Sequence, residues 1–259
     1  MIHRSNISIP SIVLIMLLSL AMPSSAGSFD VYSNTMPPIK YIKNGTMQGV
    51  AGEVLTEIMN SAGICILDKN IHTCSWSKAY TITRDTPRTI CIAMARTPQR
   101  EHLFKWVGPV YTTKLGLISK KKRNIHLETL EDTKELTIST FIDSTMDNIL
   151  LAKGVPNDRL VRKQRVSEAM DLLITDKVDL LAYTLTPTLY SLQLKGIDPT
   201  DYEMALEMRT VDLYIAFNKT TEDALINKLQ TAFETMKEPD SDGKSPYDRI
   251  MSHYFLPKM

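Results

Sequence analysis

The segment "MARTPQREHLFKWVGP", Met94 to Pro109, concentrates the side chains most able to hold an anion. Arg96 and Arg100 flank Thr97 and Pro98, and Phe104 and Trp106 follow. A guanidinium is a planar fork that matches a carboxylate or phosphate, so two at one turn suggest an anion site. Thr97 suits an N-cap and Pro98 a first helical position, where free N–H groups also favour an anion. The competing reading for Arg100 is a surface arginine paired with Glu101 or a distant acid. Outside this segment, Trp76 in "CSWSKAY" stands at a loop-to-helix start beside Ser75 and Ser77, and a tryptophan is commonly a core aromatic.

Other chemistries find little support. The five histidines are scattered and no Cys/His spacing suggests a metal. No triad or phosphate loop is visible, so neither catalytic residues nor a cofactor are expected. Cys91 lies in the apolar run "TICIAMA" and reads as a buried thiol. Cys65 and Cys74 flank "ILDKNIHT" and either close a small loop by a bridge or remain thiols.

The first 26 residues have the pattern of a secretory signal peptide: basic Arg4, an apolar run Ile12–Met22, and small Ser24 and Ala26 at the exit. That run is too short for the ~30 Å of a bilayer core. Cleavage after Ala26 would remove Arg4 from 30 Lys+Arg, leaving 29 against 29 Asp+Glu. A neutral chain is not a general nucleic-acid binder. The run "KKKR" at Lys120–Arg123 reads as a solvated loop.

The rest alternates strand-like and helix-like segments, the grammar of an α/β fold with parallel sheet. Strands are predicted at "FDVYSN", "ICIL" (64–67), "TICIAMA", "KLGLISKK", "LTIST", "RLVRK", "VDLLAY" and "VDLYIAFNK". Helices are predicted at "EVLTEIMNSAG", from Ser75, at "TLEDTKE", after Ser144 or Thr145, at "VSEAMDLLITDK" and "PTLYSLQLKG", and twice in the tail. Two α/β halves are joined by strand-like segments at 112–118 and 211–217. Two crossings without a long linker imply a hinge.

In that order, four segments resemble the periplasmic solute-binding proteins of the polar-amino-acid type (family 3, type II) used by ABC importers. They are "PPIKYIKNGTMQGVAGEVLTEIMNSAG", "AMARTPQREHLFKWVGPVYTTKLGLISKK", "SEAMDLLITDKVDLLAY" and the tail "LQTAFETMKEPDSDGKSPYDRIMSHYF". The likeness covers the whole chain after residue 26. "WSKAY" with "ARTPQREHLFKWVGP" is more similar to a divergent branch without an assigned ligand. The resemblance implies two lobes, each a mainly parallel sheet flanked by helices, with two hinge crossings. Lobe 1 would comprise 27–113 and 211–259, and lobe 2 residues 114–210.

The resemblance also implies a ligand site. Arg100 falls on the arginine that grips an α-carboxylate, and Trp76 on an aromatic platform. Ser144 and Thr145 fall on the helix start of lobe 2 that meets the same carboxylate, with Asp143 in place of a glycine. Asp143 is then a helix cap, a salt-bridge partner of Arg96 or Arg100, or a receptor for a cation. Ala95 replaces a Ser or Thr, and Thr184 stands where amino-acid binders use an acid for the ammonium. Arg96 has no family counterpart; it and Glu53, a helix-start acid, complete the candidates. The expected function is capture of a small anionic or zwitterionic solute by a periplasmic monomer that serves ABC importer membrane subunits or a membrane sensor. The alternatives are an enzyme resembling cyclohexadienyl dehydratase and a sensory input module.

Overall fold

The computed structural model describes residues 28–255. The predicted signal segment lies outside them. Among the described residues no helix is long and apolar enough to cross a membrane.

The chain opens with β1 (Asp30–Ser33), the hairpin β2 (Tyr41–Lys43) and β3 (Thr46–Gln48), and α1 (Val50–Ser61). β4 (Ile71–Thr73), α2 (Trp76–Asp85) and β5 (Thr89–Ala95) complete the first α/β half. β5 is buried at every residue, as its uninterrupted apolar run requires of a strand covered on both faces. The long strand β6 (Phe104–Lys120) leads to the second half: β7 (Ile138–Phe141), α3 (Thr145–Ala152), β8 (Leu160–Lys163), α4 (Val166–Ile174), β9 (Leu180–Thr184) and α5 (Leu185–Leu194). β10 (Tyr202–Asn218) returns, and α6 (Asp223–Thr235) and α7 (Pro246–Phe255) pack beside α1.

All strands except the β2–β3 hairpin form one eight-stranded sheet, ordered β4-β1-β5-β10-β6-β9-β7-β8. The outer trios β4-β1-β5 and β9-β7-β8 are parallel. The two central strands run antiparallel to each other and to the trios. Thus the architecture is α/β with two lobes, each built on a mainly parallel trio flanked by helices.

Two expectations are revised. The predicted strand at Ile64–Leu67 is a loop, with Leu67 44% exposed. The strand beside β1 is instead Ile71–Thr73, which Asn70 and His72 fasten by hydrogen bonds to Asp30 Oδ1 at 2.9 and 3.0 Å. An apolar run alone could not tell which of two short segments would take the edge. The crossing segments at 112–118 and 211–217 are the middle of two 17-residue strands. Their ladder runs from Tyr202↔Lys120 to Asn218↔Phe104 and is interrupted by three register shifts.

β6 pairs with β9 over Leu115–Ile118, while β10 pairs with β5 over Leu213–Phe217. Gly116 lies where the ladder is tightest: a Cβ there would collide with the Leu206 carbonyl and the Met204 sulfur. Gly116→Ala is therefore expected to destabilise the protein by about 1–3 kcal/mol, as overpacking does. Urea denaturation would measure the loss.

Candidate functional site

The two lobes face each other across a cavity of about 60 Å³. Its floor is the central ladder, through Thr113 and Leu115 of β6 and Val211 and Leu213 of β10. One wall comes from Asn34, Met36, Lys40, Trp76, Ala93 and Ala95; the opposite wall from Phe141, Ser144, Thr145, Met146, Tyr183 and Thr184. A cavity needs roughly 10–15 Å³ to hold one water, so this one admits a small solute. A wider cleft of about 510 Å³ adjoins it and shares Asn34, Trp76 and Phe141.

Local chemistry sets each wall. Ser75 caps α2 by accepting from the Lys78 N–H at 3.4 Å, which places Trp76 at the first turn. Ser144 caps α3 by accepting from the Asp147 N–H at 3.0 Å. The residue before it, Asp143, is left-handed at φ 60°, the conformation a glycine would adopt most cheaply. The fully buried Asp147 carboxylate holds this turn. It accepts from the Asp143 N–H at 3.0 Å and pairs bidentately with Arg162 at 2.8 and 2.6 Å. Neither Asp147 nor Arg162 was among the sequence candidates.

Arg100 is 5% exposed and crosses between the lobes. Nη1 donates to the Ala95 carbonyl at 3.2 Å and to Thr145 Oγ1 at 3.3 Å; Nη2 donates to the Asp143 carbonyl at 3.3 Å. Its carbon lies 5.1 Å from the Trp76 ring centre and 5.4 Å from that of Tyr80. Trp76 also spans the gap, with Nε1 donating to the Asp143 carbonyl at 2.8 Å. Arg100 has no carboxylate partner among the described residues, and burial pulls its pKa below the usual arginine range. The helix N-terminus expected at Thr97–Pro98 is absent. The chain makes a turn, closed by the Arg100 N–H to the Thr97 carbonyl at 2.9 Å, then one turn of 3-10 helix at Glu101–Leu103. β6 begins directly after it, at Phe104.

The structure separates the two arginines. Arg96 points out of the cavity and pairs with Glu101, Nε to Oε2 at 2.8 Å and Nη2 to Oε1 at 2.5 Å. It stacks by Trp106 and Tyr214 at 5.8 and 5.2 Å. The pairing weighed for Arg100 is thus made by Arg96. Successive residues of an extended strand point to opposite faces, so with Ala95 on the cavity Arg96 must leave it. Asp143 forms no salt bridge with either arginine: its side chain is exposed, and it is engaged through its backbone, the carbonyl by Trp76 and Arg100 and the N–H by Asp147. Glu53 sits in the first turn of α1, accepts from the Tyr254 hydroxyl and does not line the cavity. Thr184 is 2% exposed and lines the cavity; its hydroxyl and that of Tyr183 have no hydrogen-bond partner. Cys65, Cys74 and Cys91 are free thiols.

Lys40 was missed from sequence because lysine is almost never fully buried. Here it is 1% exposed. The turn Met36–Lys40 delivers it, with backbone hydrogen bonds of 2.7 and 2.9 Å between those two residues. Nζ donates to the Ile92 carbonyl at 2.6 Å and lies 3.4 Å from that of Ala93. Those carbonyls belong to a bulge in β5, where Ile92 and Ala93 stand opposite Ile215, and Ala93 is left-handed at φ 50°. Burial pushes the Lys40 amine below its ordinary pKa of 10.5.

Two measurements check this geometry. Asp143→Gly is expected to leave thermal stability within about 1 kcal/mol of wild type. Relief of left-handed strain, about 1–2 kcal/mol, is offset by the entropy glycine adds to the unfolded chain. A larger loss would show that the carboxylate, not the carbonyl, matters. For Lys40, the window lies between its lowered folded pKa and 10.5. There the unfolded chain binds a proton the folded one lacks, so this residue makes stability rise with pH. The Tm of ligand-free Lys40→Met minus that of wild type is expected to fall as pH increases through that window.

The chain matches the family model of bacterial extracellular solute-binding proteins, family 3, over residues 31–257. No curated protein sequence matches it. Among solved structures, a histidine kinase sensor domain with similarity to periplasmic binding proteins superposes with TM-score 0.75 at 15% identity, over 88% of this chain and 96% of that one. An ancestral arginine-binding protein bound to arginine gives TM-score 0.73 at 21% identity, over 88% and 98%. The GluR0 ligand-binding core from Nostoc punctiforme in complex with L-glutamate gives 0.72 at 18%, over 88% and 100%. At these identities the likeness is one of fold. With the match spanning nearly all of the described residues, the chain belongs to the bacterial extracellular solute-binding proteins, family 3.

Proposed function

We propose that this protein captures a small carboxylate-bearing or amino-acid-like solute between its lobes, by closure, in the periplasm after cleavage behind Ala26. It would pass the solute, or the closed state itself, to ABC importer subunits or to a signalling partner. The observation that carries this reading is the arrangement of Trp76 and Arg100 on one lobe. Both reach the Asp143 carbonyl on the other, beside a cavity lined by both lobes. A solute in that cavity meets both walls only when the lobes are closed, so binding shifts the population toward closure. We place the hinge in the ladder near Thr112–Lys114 and Thr210–Asp212, between the β10–β5 and β6–β9 pairings. That assigns 27–113 with 211–259 to one lobe and 114–210 to the other.

Arg100 supports an acidic ligand because its present partners are neutral acceptors at 3.2–3.3 Å. A carboxylate would make shorter, charge-assisted bonds. Arg96, paired with Glu101 outside the cavity, is not part of this proposal. The dehydratase-like alternative needs a positioned acid or base; no Asp or Glu lines the cavity, so it would have to use Lys40 or Tyr183.

A thermal-shift screen of amino acids and small carboxylates is expected to give ligands that raise Tm without turnover. Arg100→Ala is expected to weaken them by about thirtyfold or more, the cost of removing one partner of a buried charged pair. Turnover of a solute, or equal affinity in Arg100→Ala, would defeat the reading.

A further inference from the structure

Resting on the binding reading above, we propose that Lys40 anchors the solute's anionic group. The solute is then a small organic acid without an ammonium group, rather than an α-amino acid. Lys40 is the one charged side chain on the cavity wall, and that wall holds no carboxylate. The adjoining cleft adds Arg165 and Lys195 and again no Asp or Glu. Lys195 is paired with Asp171 at 2.9 Å, so on the cavity wall itself the charge without a carboxylate partner is that of Lys40.

A lysine ammonium has three N–H donors. Two of them have acceptors in the Ile92 and Ala93 carbonyls, at 2.6 and 3.4 Å. The third is free for a ligand. No described residue forms a salt bridge with Lys40, and a buried charge without a counter-charge is costly. An incoming carboxylate supplies that counter-charge. An α-ammonium instead enters a wall without carboxylates beside another ammonium.

The neutral groups agree. Thr184 lines the cavity, and its buried hydroxyl has no hydrogen-bond partner. A hydroxyl can donate to a ligand oxygen, as a carboxylate, oxo or hydroxyl group would offer. The rest of the wall is largely apolar, including Met36, Trp76, Phe141 and Leu213, and suits a short carbon skeleton. The structure therefore points to a small carboxylic, 2-oxo or 2-hydroxy acid.

Lys40 also holds the bulge in β5, so the test must separate ligand binding from folding. Calorimetric titration of the full mature chain with matched sets would do so. Suitable sets are pyruvate, lactate and propionate against alanine; 2-oxobutyrate and butyrate against 2-aminobutyrate; and 2-oxoglutarate against glutamate. At least one acid is expected to bind about tenfold or more tighter than its amino counterpart, which carries an unneutralised ammonium. This comparison uses wild type alone and does not depend on any variant folding. Lys40→Met is then expected to weaken that acid by about thirtyfold or more.

An amino acid that binds as tightly as its deaminated partner, in an Arg100-dependent way, overturns this inference and leaves the binding function standing. So does a folded Lys40→Met that keeps wild-type affinity for the acid. If no probe of either class binds, the solute-binding reading falls and this inference falls with it.

Discussion

The antiparallel pairing of β6 with β10 is the constraint on which the rest of the molecule depends. Each strand belongs to both lobes, so a single ladder fastens the two parallel trios into one sheet. The ladder also forms the cavity floor, which fixes where the two walls can meet. Close approach of the strands at Gly116 leaves no space for a side chain, and the three register shifts bend the pair without ending it.

The walls are held by interactions that point away from the cavity. Asp147 and Arg162 lock the turn before α3, and the Asp143 carbonyl is thereby presented to Trp76 and Arg100. A backbone carbonyl accepts two bonds and carries no net charge. The lobes are thus joined without consuming the positive charge of Arg100. The bulge in β5 does similar work for Lys40, whose amine meets two carbonyl dipoles in place of a carboxylate. Two desolvated cations, each with its pKa lowered by burial, flank the Trp76 ring at 5.6 and 5.1 Å. This electrostatic tension runs through the site and is what a negatively charged solute would relieve.

Several parts were legible in the chain itself. The alternation of apolar strands and amphipathic helices specified the α/β class, because periodicity is written in neighbouring residues. Ser75 and Ser144 announced their helices, since a cap is a local hydrogen bond. Trp76, Ala95, Ser144, Thr145 and Thr184 do line the cavity, whereas Arg100 does not and instead lines a neighbouring pocket of about 450 Å³ with Asp143 and Thr145. Other features were not legible. Ile64–Leu67 looked more strand-like than Ile71–Thr73, yet the edge position went to the segment that Asp30 could hold. The resemblance gave a ligand role to Arg100 and none to Arg96, but Arg96 remained a candidate until the structure turned it away from the cavity to Glu101.

The sequence by itself determined the class of fold and the caps at Ser75 and Ser144, because these depend on short-range spacing and local hydrogen bonds. Only the tertiary structure decided which charges are neutralised. Arg96 finds Glu101 five residues away, whereas Arg100 finds the carbonyl of Asp143 across the cleft and Lys40 the carbonyls of a distant bulge. Whether a cation is paired depends on which groups long-range packing brings within about 4 Å, and at such separations the Coulomb energy and the desolvation cost both become large.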